Sequence, residues 1–417
     1  MKLEKLLIAS LLFAVYLLIG GMSLYSASGQ ANSTQTGTPQ TKEAAKIQSV
    51  SMSDALISSL SINPEKAGGK IPSLQTSSWL AASPSAKFNY LKGQQDTSAD
   101  ELEISLNLAI KSNFQRDIDQ KLTSLDLKIK QQQTNLKKLH LSGLIREAIW
   151  NYKIEKTKLD YLQKKENILH KLKNNQLKLI DAGEASAYGL LLIQKESNKA
   201  QIDMLTSRLK MTSWMEQYTL VTGLSEMPEI IAEKQMTIVK TRLTDHPDVQ
   251  LLLNRWKQKS LNLQSSSSDA APWNMSFTAK NTETLNVTDD QIGISIEVPL
   301  SFVQSTSQRS SNEWRQGKAQ FDMDYQLLML KLNRQIKQLN GQSRLLSKKE
   351  ILLNDSVKLS QLIMKQIDQF KIGNEMNQEL ILRRVLEAIE TKNDYAITQL
   401  LKLQNNAMIR QSAGISL

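Results

Sequence analysis

The sequence predicts a mainly α-helical fold with a membrane β-barrel contribution, built from a duplicated helix–strand–strand–helix unit. Three observations predict it. First, residues 101–110 alternate with period two: Leu102, Ile104, Leu106, Leu108 and Ile110 against Glu101, Glu103, Ser105, Asn107 and Ala109. Such alternation puts every apolar side chain on one face of a strand. Roughly ten residues is what a tilted strand needs to cross a bilayer. The pattern returns at 292–300, where Ile292, Ile294, Ile296, Val298 and Leu300 alternate with Gly293, Ser295, Glu297 and Pro299. Second, 114–182 and 305–371 contain no proline and carry apolar residues at helical spacing. Third, the spacing is kept between halves. Ile110 to Gly183 and Leu300 to Gly373 are both 73 residues; Gly183 to Gly223 is 40 and Gly373 to Gly414 is 41. A period this long marks a duplicated domain rather than a solenoid.

Composition narrows the function. The 417-residue chain is 22% charged and 5% aromatic, with 16 glycines and 8 prolines, as a helix-rich protein would be. Lysine and arginine outnumber acidic residues 52 to 41, but they are spread beside Asp and Glu along the helical stretches. That is a solvated helix surface and not a nucleic-acid patch. The absence of cysteine excludes disulfides, thiol catalysis and lipid attachment through an N-terminal cysteine. His140, His170 and His246 lie far apart without ligand-spaced partners, so no metal site is expected. No nucleotide-binding glycine loop and no nucleophile–base arrangement occur, so the protein is not expected to be an enzyme or to hold a cofactor.

Taken in order, residues 1–31 read as a secretory signal: Lys2 and Lys5, an apolar run at 6–21, then Ala27, Gly29 and Ala31. An uncleaved membrane anchor is the alternative, and either way the rest leaves the cytoplasm. Residues 32–52 are rich in Ser, Thr and Gln and read as a disordered leader. The first repeat is 53–223. It opens with helical pieces up to about Leu80, interrupted at Asn63-Pro64. A β-hairpin follows at 84–110, whose first strand carries Ala86, Phe88 and Tyr90; then come a long helix at 114–182 and a helix at 185–222. Gly183 suits the left-handed position that ends a helix. Residues 224–244 form a connector. The second repeat is 245–417: a helix after His246-Pro247, a hairpin at 273–300 with a polar loop at 281–290, a long helix at 305–371 and a helix at 375–413.

Four strands cannot close a barrel, and membrane barrels start at about eight. Three chains supply twelve strands in one shared barrel. They also supply helices of about 100 Å, which form a long coiled-coil-like tunnel continuous with it.

With Asn63-Pro64 and His246-Pro247, the segment 293–300 (Gly-Ile-Ser-Ile-Glu-Val-Pro-Leu), Phe370-Lys-Ile-Gly373 followed by Glu379-Leu380, and Gly414, the chain over about 53–415 resembles the TolC-like outer-membrane efflux proteins. The resemblance implies a homotrimer in outer-membrane lipid with its helical tunnel in the periplasm. It implies a passive exit duct of a tripartite efflux or secretion system, joined to an inner-membrane pump through a periplasmic adaptor protein. Its periplasmic tip would be the turns at Gly183 and Gly373, opened by adaptor docking. Family members often carry an aspartate six residues after the second turning glycine; here it is Glu379, which implies a threefold carboxylate ring, unless it is one more solvated carboxylate. The second acidic position is Leu382 and the matching one at the first turn is Gly189, two departures. Phe370 stands where the family often has tyrosine and implies packing at the tip. The basic balance also departs from the acidic best-known members and leaves the ion preference of the tunnel open. The alternative is a periplasmic adaptor anchored in the inner membrane, which would carry one helical hairpin and a Gly-rich lipoyl-like domain. The transported molecule is not legible.

Overall fold

Serine caps open the first two helices of the computed structural model. α1, Met52–Ser61, starts where the Ser51 side chain accepts from the Asp54 N–H while the Asp54 carboxylate accepts from the Ser51 N–H. α2, Asn113–Asp181, repeats the device with Ser112 and Gln115. Two orphan donors are thus satisfied reciprocally at each start. The structure describes residues 50–62, 77–94, 98–184, 186–229, 231–234, 243–265, 272–284, 287–299, 308–371 and 378–417, leaving out the side chains of 367–371 and 378–379. The signal and leader expected at 1–52 therefore lie almost entirely outside the described residues, as does Asn63-Pro64.

The remaining elements follow in chain order. They are β1, Ser85–Leu91; β2, Asp100–Ile110; α2; α3, Ala187–Thr222; a 3-10 turn, Leu243–Asp245; α4, Pro247–Ser265; β3, Trp273–Glu283; β4, Thr288–Glu297; α5, Gln308–Lys371; and α6, Gln378–Ser412. α2 and α5 run 69 and 64 residues. At about 1.5 Å per residue each is close to 100 Å long. α2 folds back against α3 through Gly183 at φ +74, where the N–H groups of Gly183 and Glu184 bond to Ile180 and Leu179. Gly223 and Gly414 end α3 and α6 with the same left-handed geometry. The end of α6 abuts the start of α4: a Cβ added at Gly414 would sit 2.7 Å from Pro247 Cδ.

The core lies at mid-height on α2. Ile145, Ala148, Ile149 and Trp150 pack with Ala55 and Leu56 of α1, Tyr218 of α3, Ile231 of the connector and Ala407 of α6. Beside them Arg146 is fully buried. Its guanidinium donates twice to Glu233 at 2.7 Å, to Gln411 Oε1 at 2.5 Å and to the Ile415 carbonyl at 3.0 Å. Arg410 donates to the same Glu233 carboxylate at 2.9 Å. One carboxylate thus ties the connector to a helix of each half. Higher up, Trp256 of α4 stacks on Phe321 of α5 with centroids 5.4 Å apart.

The structure differs from the sequence reading at three strand ends. Residues 77–80, expected as the end of a helical piece, are not helical: they bend at Ser78 and Trp79, and Leu80 bridges to Ile110, with Lys111 N–H bonding to the Trp79 carbonyl and Ala81 N–H to that of Ala109. The polar loop expected at 281–290 shrinks to 284–287, because Asn281, Thr282 and Glu283 pair with Asp290, Asp289 and Thr288. Val298 lies past the end of β4. Pro299 next to it has no N–H to continue the ladder.

Two stability predictions follow from these contacts. Glu233→Ala leaves two guanidinium groups facing each other without their shared carboxylate, at a cost of about 3–5 kcal/mol. Breaking the exposed Lys121–Asp117 pair should cost under about 1 kcal/mol. Unfolding midpoints of the two variants in denaturant check the contrast. The second concerns His246, where burial holds the imidazole below its ordinary pKa against the smaller upward pull of Asp248. Its Nδ1 accepts from the Asp248 N–H at 3.2 Å, so the neutral ring caps α4. A folded pKa below the unfolded one means that stability is full above the ordinary histidine range and lost as pH falls through the folded value. His246→Asn keeps an acceptor without titrating, and should flatten part of the fall in melting temperature between about pH 7.5 and pH 5. An unchanged profile would refute this.

Candidate functional site

The four strands form one antiparallel sheet in the order β1-β2-β3-β4. β2 and β3 pair over their whole length, from Asp100↔Glu283 to Ile110↔Trp273, which welds the two hairpins into one surface. Opposed residues in such a ladder share a face. The register therefore aligns Phe88, Ile104, Ala279 and Ile292 in one rung. The next rung holds Ala86, Leu106, Phe277 and Ile294, followed by Leu108, Met275 and Ile296. Leu102, Ile104, Leu106, Leu108, Ile292, Ile294 and Ile296 all fall on this face, as their spacing predicts; Val298 does not join it. Ile292 is 83% exposed and Ile294 65%, so nothing among the described residues covers them. Trp273 closes the band at the helix end, and Tyr90, which donates to Asp100 at 3.3 Å, closes it at the loop end.

The opposite face is polar and carries Lys87, Asn89, Glu101, Glu103, Lys280 and Glu297 among its residues. Lys280 Nζ lies 2.9 Å from Glu101 Oε1, and Asn274 donates to Glu297 at 3.3 Å.

At the far end of the helices the structure describes the first turn and only part of the second. Gly183 sits in the left-handed turn with open space around it. Phe370 lies in the last turn of α5 and Glu379 in the first turn of α6, but their side chains, and Gly373 altogether, lie outside the described residues. Above the turns, Lys165 of α2 is buried and reaches Glu196 of α3 and Glu390 of α6, each at 3.3 Å. Leu382, the departure noted in the sequence, packs with Leu169, Ile193, Ala200 and Leu386. Sequence spacing gave no sign of the Lys165 or Arg146 clusters, whose partners lie 31 to 269 residues away. No helix among the described residues is long and apolar enough to cross a membrane, and they contain no group of three or more potential metal ligands.

Known structures match this arrangement over nearly its full length. The outer membrane protein VceC of Vibrio cholerae superposes with a TM-score of 0.64 at 12% identity, covering 88% of this chain and 96% of that one. The chain has the fold of the TolC-like outer-membrane channels. CusC, described for transmembrane channel formation, matches at 0.61 with 10% identity, covering 93% of this chain and 99% of its own. The open-state MtrE outer membrane channel of Neisseria gonorrhoeae matches at 0.58 with 12% identity over 81% of each chain. No protein-family model and no curated protein matches the sequence.

Proposed function

We propose that the protein is a passive trimeric exit duct of the outer membrane, serving a tripartite efflux or secretion system. The observation that carries this reading is the four-stranded amphipathic sheet with two unpartnered edges. Among the described residues, β1 and β4 each pair on one side only. In lipid every strand edge must be paired. β1 and β4 are antiparallel, so β4 of one chain can pair with β1 of the next and keep the alternation; three copies close twelve strands. The apolar face then meets lipid and the polar face lines the lumen.

The helices support the same assembly. Ile202, Leu205 and Leu209 of α3 are exposed at spacings of three and four, and Leu345, Leu352 and Leu359 of α5 at spacings of seven. These are the spacings of a coiled-coil seam. Neighbouring chains would cover them. On this reading the turns at Gly183 and Gly373 form the periplasmic tip, where a periplasmic adaptor docks and joins the duct to its inner-membrane pump. Three copies of Glu379 ring the entrance and Phe370 packs beside it. The two helical hairpins and the fold shared with outer-membrane channels favour the duct over an adaptor.

The test exploits the two faces of β4. Ile294→Arg puts a charge in the lipid-facing band at a cost of roughly 2–4 kcal/mol per strand, and should deplete assembled protein from outer-membrane fractions. Ser295→Arg, one residue along, points the same charge into the lumen and should assemble normally. Equal behaviour of the two variants would count against the barrel.

A further inference from the structure

We propose that the seam between neighbouring copies is locked in one strand register, in which Lys87 of one copy stands directly opposite Glu297 of the next on the lumen face. The proposal rests on the duct reading above and concerns how its copies recognise one another. β1 runs from the helix end toward the loops and β4 runs back. Their free edges therefore pair antiparallel, with apolar residues opposite apolar ones. Within one chain Phe88 and Ile292 share a rung. Across the seam the partner of Phe88 is displaced from Ile292, because tilted strands close on themselves with a shear. Threefold symmetry divides that shear equally among the seams, and only an even displacement keeps each face intact. Displacements of two, four and six residues per seam tilt twelve strands by about 19°, 35° and 46°. Barrel strands tilt by about 35–45°, which leaves four and six.

Handedness gives the direction. The Ala109 carbonyl accepts from the Ala81 N–H, and the Lys111 N–H donates to Trp79. Odd residues of β2 thus bond toward β1, while their side chains stand on the polar face. For L residues this puts β1 to the right of β2 when the apolar face is viewed with the loops uppermost, and the neighbour's β4 to the right of β1. Thr284, whose N–H donates to Val287, obeys the same order between β3 and β4. Barrel strands rise to the right in that view. A path across the ladder therefore descends toward the helices, and the partner of Phe88 lies later in β4 than Ile292.

Charge selects between the two displacements. Four residues set Phe88 opposite Ile296 and Tyr90 opposite Ile294 on the lipid face, with Lys87 opposite Glu297 and Asn89 opposite Ser295 on the lumen face. Six residues set Lys87 opposite Pro299 and Glu297 opposite Asn89. Lys280 already has Glu101 at 2.9 Å. Among the described residues, Lys87 has no ion pair and Glu297 accepts from the Asn274 amide at 3.3 Å. The four-residue register joins these two charges, which the single chain keeps apart. Opposite charges directly across a ladder favour their register. They also make each edge selective for a second copy of this chain over another free edge.

The chain has no cysteine, so disulfide trapping reads the register directly. Lys87 and Glu297 fall at a non-hydrogen-bonded pair, with Cα atoms about 4.5 Å apart, a separation that suits a disulfide. Within one chain the same positions are three strand spacings apart, about 14 Å, too far for an internal bond. Full-length Lys87→Cys/Glu297→Cys protein, oxidised with copper phenanthroline in isolated outer membranes, should run as linked dimers and trimers on a non-reducing gel. Asn89→Cys/Glu297→Cys, the six-residue register, should link at least tenfold less. A second measurement needs no cysteine: Lys87→Glu should lower the temperature at which the detergent-extracted trimer dissociates, and Lys87→Glu/Glu297→Lys should restore it. Preferential linking of Asn89→Cys/Glu297→Cys, or a trimer in which neither pair links, overturns the register. So does a charge-swapped trimer no more stable than Lys87→Glu. Particles of single-chain mass, with no link in any variant, overturn the duct reading beneath it.

Discussion

Backbone hydrogen bonding in lipid is the constraint on which the rest of this molecule depends. A sheet with an apolar face as broad as that formed by Ile104, Leu106, Phe277 and Ile294 has no partner for that face among the described residues. Its edge strands β1 and β4 present unpaired N–H and C=O groups. Water satisfies such groups and hydrocarbon does not. On the proposed reading the sheet is incomplete alone, and the long helices that carry it bring three copies into register. Their exposed apolar seams serve the same end, since a seam at heptad spacing is left bare only until a neighbour packs on it.

Within the chain, stability is concentrated where helices cross rather than spread along them. Long α-helices packed side by side have small local cores, such as Leu125, Ile129 and Leu251 near the sheet. The dense core is at mid-height, around Trp150 and the Arg146–Glu233–Arg410 cluster. That cluster is expensive to desolvate, and its value lies in geometry: a bidentate guanidinium holds the connector and both halves in one arrangement. Lys165 joins α2, α3 and α6 in the same way nearer the turns. The ends of the helices are thus positioned by polar clusters that bridge helices distant in sequence.

Much of this was legible from the sequence for a physical reason. A strand with one apolar and one polar face must alternate strictly, so Leu102 to Ile110 announced itself. A helix of 69 residues must avoid proline, and its reversal must find a residue that tolerates positive φ, so Gly183, Gly223 and Gly414 marked the ends. The lower part of β4 was hidden because Asp289, Asp290 and Gln291 are polar on both faces, so no alternation marks the strand there. Val298 kept the apolar period but not the pairing, since Pro299 cannot donate. The Arg146 and Lys165 clusters were invisible because charged residues recur all along these helices, and only the packing selects which of them meet.

The most direct measurement is the protein mass of the particle extracted in mild detergent from separated outer membranes, with bound detergent subtracted. Three chains per particle are predicted, since only then do the edges of β1 and β4 meet in a closed barrel. A single chain, or recovery from inner membranes alone, would contradict the shared barrel and the duct built upon it.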